Sequence, residues 1–98
     1  PAVMIVRREQ KHAKLVQYAE RVFNITSGSD EEKIDQAIIA TENFFKLMQV
    51  PTRLSDIDVG VDQVDELVNA LEKHGMTKLG EHGDIDLTIS REILTTAI

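Results

Sequence analysis

One stretch, residues 29–50 (SDEEKIDQAIIATENFFKLMQV), limits most strongly what this chain can fold into. Ile34, Ala37, Ile38, Thr41, Phe44, Phe45 and Met48 recur at spacings of three and four, which puts them on one stripe of an α-helix. Its start is encoded locally. Ser29 can accept from the free backbone donors of the first turn, and Glu32, three residues on, completes a capping box. Asp30, Glu31 and Glu32 place negative charge where the helix dipole is positive. Pro51 ends the segment, because the residue before a proline is driven out of the α region. Two of the three phenylalanines lie on this stripe, so the rest of the chain is expected to pack against it.

Ninety-eight residues suffice for one modest core, burying about 60 to 70% of the unfolded surface. The expectation is a single all-α region over residues 1–98, a small bundle of four to five helices. With no cysteine, disulfides and thiolate zinc sites are excluded. No apolar run reaches the ~18 residues of a membrane span, and the opening PAVMIV has no charged leader of a signal peptide. A cytoplasmic setting is the default expectation. The net charge of −6 is uneven: residues 1–53 hold eight Lys/Arg against seven Asp/Glu, and residues 54–98 three against ten. No basic footprint for nucleic acid exists, and the acidic half reads as a solvated face.

In chain order, residues 1–8 form an apolar helix with Pro1 at its first position. It reads either as a natural N-terminus after removal of the initiator methionine, or as a helix severed from a longer protein. Residues 11–24 form a second helix, with Leu15, Tyr18, Ala19, Val22 and Phe23 on one face. Tyr18 is expected at the rim with its hydroxyl at the surface. A turn near residues 55–57 precedes a third clear helix carrying Val61, Val64, Leu67, Val68 and Leu71 inward. Gly75 is its left-handed C-terminal stop. Residues 76–87 read as a loop. Thr88 is the expected N-cap of a last helix over residues 89–97, with Ile89, Ile93, Leu94 and Ala97 inward. Ile85, Leu87 and Ile89 alternate with polar residues, too briefly to define a strand.

Candidate chemistry is sparse. A calcium loop counted from Asp56 puts Gly60 at the third ligand, Val61 at the required glycine and Leu67 at the closing glutamate, and so fails; from Asp84, Ile89 occupies the glycine position. His12, His74 and His82 are the only imidazoles; no His–His pair has the helical spacing of a metal site, and no aspartate precedes a histidine by four. Glu81, His82, Asp84 and Asp86 read as a solvated loop rather than a cation site. There is no dinucleotide fingerprint, P-loop or nucleophile elbow, and each serine has a capping or turn role available. The residues alone therefore assign no catalytic, cofactor-binding or metal-binding position.

The ordered series LVQYAERVFNI at 15–25, SDEE at 29–32, FF at 44–45, VPTRLSD at 50–56 and LEKHGMT at 71–77 resembles one family. It is similar to the C-terminal end of the iron-containing (group III) alcohol dehydrogenases, in their NADPH-dependent aldehyde reductase and butanol dehydrogenase branch. That resemblance implies a larger two-domain parent with a Rossmann-like domain and a metal-holding helical domain. In such a parent, hydride passes between NAD(P)H and an aldehyde or primary alcohol, with a divalent metal (iron or zinc) polarising the carbonyl. The family's ligands, an aspartate and histidine one helical turn apart and two later histidines, have no counterparts here. The resemblance thus implies a structural, inactive C-terminal piece, whose partner is the rest of the parent polypeptide, with homo-oligomerisation left open. It also points to the loop of Leu79, Gly80, Glu81, His82 and Gly83 as a substrate-side segment, with a plain connection between helices as the competing reading. The competing reading is an independent acidic helical interaction module, with the apolar face of residues 2–6 as its docking surface.

Overall fold

The computed structural model describes all 98 residues, in five α-helices and no strand. The helices are α1 (Ala2–Val6), α2 (His12–Phe23), α3 (Asp30–Leu47), α4 (Val64–Lys73) and α5 (Leu87–Thr96), with 3-10 turns at Leu54–Ile57 and Val61–Gln63. The all-α expectation is borne out. No helix is long and apolar enough to cross a membrane. The chain divides into two compact units, Val3–Thr52 and Arg53–Ile98.

In the first unit, α2 and α3 pack as a helical hairpin. Leu15, Ile34 and Ile38 form its centre, with Met4 of α1 and Val16 packed against them. Ser29 caps α3 as its position predicts, accepting from the Glu32 amide at 3.2 Å. The far end of α3 differs from the expectation. The helix stops at Leu47, because Gln49 turns left-handed (φ 60°) and the Val50 amide reaches back to the Phe45 carbonyl at 2.9 Å. The stripe also divides: Ile34, Ala37 and Ile38 are buried, but Phe44 is 53% and Met48 61% exposed. Around this core, Arg8 forks between Asp35 and Glu31, both at 2.7 Å, and Lys33 reaches Glu20 at 3.1 Å.

In the second unit, Val64 and Val68 of α4 are the buried apolar residues, while Val61 and Leu67 are exposed. The expected five-residue inward face is therefore narrower, because Val61 belongs to a 3-10 turn rather than to α4. Gly75 does stop α4: its φ is +71°, its amide meets the Glu72 carbonyl at 3.0 Å, and the Met76 amide meets the Leu71 carbonyl at 2.8 Å. These two bonds make a Schellman stop. Helix α5 begins two residues earlier than expected. Asp86, not Thr88, is its N-cap, its Oδ1 accepting from the Ile89 amide at 2.9 Å. A carboxylate there also meets the positive end of the dipole, which a threonine cannot match. Arg91 of α5 pairs with Asp65 of α4.

Candidate functional site

The loop of Leu79, Gly80, Glu81, His82 and Gly83 is held shut at its base. Leu79 and Ile85 form an isolated antiparallel bridge, their amides and carbonyls exchanging bonds of 2.8 and 3.1 Å. Between them, Gly80 (φ +87°) and Gly83 (φ +63°) take left-handed conformations, and the Gly83 amide donates to the Gly80 carbonyl at 3.1 Å. A side chain at Gly80 would also crowd Ile85, whose Cδ1 lies 3.2 Å from the Cβ position. The tip therefore presents Glu81 and His82 to solvent, with Nε2 of His82 3.9 Å from Oε2 of Glu81. That separation leaves room for weak, screened attraction only.

The donors near this loop do not converge. Nowhere in the chain do three or more His, Asp or Glu side chains gather as a metal site would require. Each candidate has a local reason. Asp86 caps α5, and Asp56 Oδ2 accepts from the Arg53 amide at 3.1 Å. His12 faces Glu31 at 3.3 Å beside the Arg8 fork, and His74 ends α4. The same Arg8 guanidinium has its pKa raised, first by the hydrogen bond to Asp35.

What residue-level reading did not locate is a groove between α2 and α3. Tyr18, Val22, Phe23, Thr41, Phe44 and Phe45 line a half-open cavity of about 360 Å³. The rings stack edge to face in pairs, Tyr18 with Phe23 at 5.3 Å and Phe44 with Phe45 at 5.6 Å. Contrary to expectation, the Tyr18 hydroxyl does not end at the surface; it is half-buried, 2.8 Å from Thr41 Oγ1. The signal was present in the stripe itself. Two of the three phenylalanines lie on it, and both stay exposed here.

No protein-family model matches the chain. It is, however, 54% identical over 97 residues to the NADPH-dependent aldehyde reductase YqhD of Escherichia coli, covering 99% of this chain and 25% of that protein. The match lies in the C-terminal region of that enzyme. An NADP-dependent alcohol dehydrogenase of Entamoeba histolytica is 33% identical over 94 residues, 96% of this chain and 23% of that one. Among solved structures, the substrate- and cofactor-free form of the E. coli reductase superposes with a TM-score of 0.96 at 53% identity, over all of this chain and 26% of its own. A second crystal structure of the same E. coli protein gives 0.95. The resemblance read from the ordered motifs is thereby borne out, and both relatives are oxidoreductases. This chain spans about a quarter of the length of each relative it matches.

Proposed function

We propose that residues 1–98 act as one C-terminal helical region of an NADP(H)-linked oxidoreductase that interconverts an aldehyde and a primary alcohol by hydride transfer. The observation that carries this reading is the 54% identity to the aldehyde reductase over 99% of the chain. Within such an enzyme, the role of this region is structural. The nicotinamide cofactor supplies the hydride and is held by residues outside these 98.

A divalent metal, iron or zinc, belongs to the same family picture, and the donors present here do not fit one. His12 is engaged by Glu31, Asp56 and Asp86 cap backbone amides, and His82 lies 3.9 Å from Glu81. No step through a metal is derived from this chain. The cytoplasmic setting and any homo-oligomeric assembly belong to the same proposal.

The loop of Leu79, Gly80, Glu81, His82 and Gly83 is assigned to the substrate side. What supports it is its form: a bridged base with two solvent-facing polar side chains at the tip. Loops on rigid scaffolds commonly carry recognition. The decisive experiment measures NADPH oxidation with a short aldehyde, using the longer gene product and the 98-residue polypeptide in parallel. The longer protein turns over and the short one does not; turnover by the short chain alone, or none by the long one, defeats the proposal. Glu81→Ala with His82→Ala in the active protein should raise KM more than it lowers kcat.

A further inference from the structure

We infer that the α2–α3 groove is an intramolecular docking surface, filled by apolar side chains from the part of the longer polypeptide that precedes Pro1. This rests on the reading of the chain as the C-terminal region of a longer enzyme. Three observations lead to it.

The first is exposure. Val22 is 60%, Phe44 53% and Phe45 40% exposed along the groove, and Leu47, Met48 and Val50, the apolar residues that follow in the chain, are exposed as well. A soluble protein rarely leaves aromatic and aliphatic side chains contiguous and uncovered without a partner.

The second is chemistry. Among the side chains lining the groove, only Tyr18 and Thr41 carry a polar group, a hydroxyl each. Thr41 donates its proton to the Ala37 carbonyl at 2.7 Å, so the Tyr18 hydroxyl must donate to Thr41 at 2.8 Å. Both protons are committed inside the hairpin, and the groove has none to offer a polar ligand. The two hydroxyl oxygens keep only acceptor capacity, and the other four lining side chains, Val22, Phe23, Phe44 and Phe45, are wholly apolar, so the groove suits an apolar occupant.

The third is size and source. Six side chains line the groove, whereas a stable interface between two copies engages about 20 to 30 residues a side. A groove this small suits a few side chains of one helix or loop. Three quarters of each relative lies outside the match, and the match is to the C-terminal region of the E. coli enzyme, which places the missing chain upstream.

The test is thiol accessibility in the longer gene product. Cysteine is introduced singly at Val22→Cys and Phe44→Cys, with Asn43→Cys on the exposed side of α3 as reference, and maleimide labelling is mapped by mass. Val22 is highly exposed in the groove rim, so its replacement keeps the inference testable should Phe44→Cys disturb folding. The two groove positions should label roughly tenfold or more slower than position 43, at a rate independent of protein concentration. Equal labelling at all three positions overturns the inference. Protection that disappears on dilution assigns the groove to a second copy and also overturns it. An unsubstituted protein whose native mass is only the 11.0 kDa of this chain defeats the parent reading itself, whereas a longer, active enzyme with an open groove defeats this inference alone.

Discussion

The Tyr18 hydroxyl donates to Thr41 Oγ1 at 2.8 Å and so ties the middle of α2 to the middle of α3. Thr41 in turn donates to the Ala37 carbonyl one turn back at 2.7 Å, so the link is a relay from side chain to backbone. Replacing Tyr18 by Phe keeps the ring against Phe23 and removes only the relay. Equilibrium urea unfolding should show a loss of about 1 kcal/mol. An unchanged midpoint would mean that the hydroxyl exchanges freely with water.

Gln49 adopts φ 60° to stop α3, a conformation that a side chain bearing Cβ tolerates poorly. It is exposed and its side chain is not part of the stop, which is made by the Val50 and Gln49 amides. Gln49→Gly should therefore stabilise the protein by about 0.5 to 1 kcal/mol, read as a higher thermal midpoint. The gain is net of the extra freedom glycine has when unfolded. A loss would show that the left-handed turn at 49 is not strained.

The start of α5 separates two neighbouring residues cleanly. Asp86→Ala removes the oxygen that accepts from the Ile89 amide and should cost about 0.5 to 2 kcal/mol. Thr88→Ala, inside the first turn and exposed, should stay within about 0.5 kcal/mol. Denaturant midpoints of the two variants check this directly, and the reverse order would restore Thr88 as the cap.

The Arg8 fork onto Asp35 and Glu31 joins the segment after α1 to the first turns of α3. Hydrogen bonding to Asp35 raises the Arg8 pKa above its already high value. For a raised pKa, the contribution is complete below the unfolded value and is lost only as pH climbs through the folded one. The stability owed to Arg8 should accordingly stay flat from neutral pH through pH 10. It should shrink in high salt, because both carboxylates are exposed. A double-mutant cycle of Arg8→Gln and Asp35→Asn at low and high salt measures this coupling; a salt-independent value would place the pair in a drier setting than the structure gives.

Much of the fold was readable because its determinants are local. The Ser29 cap, the Gly75 stop and the buried Ile34, Ala37 and Ile38 follow from periodicity and capping alone. What failed did so where two residues competed for one role. Asp86 outranked Thr88 as a cap, and the Gln49 turn ended α3 before Pro51 acted. The hydroxyl of Tyr18 was misplaced for another reason: its partner, Thr41, lies 23 residues away, and sequence spacing along one helix carries no word of the next. The groove was half visible, since Phe44 and Phe45 were placed on the packing stripe, but a stripe does not reveal how much of it will find cover. The Leu79 to Ile85 bridge was likewise masked by the glycines that permit it.

On the proposed function, these 98 residues brace a catalyst whose reactive groups lie elsewhere in its chain. His12, His74 and His82 are the only imidazoles the region has to offer to a metal or a proton. The most direct test replaces all three by alanine in the longer, active gene product and measures kcat for NADPH-dependent aldehyde reduction. A kcat within a few-fold of the unsubstituted enzyme is expected; a fall of about 10²-fold or more, the scale of a lost general acid or base, would show that a reactive group lies within the region.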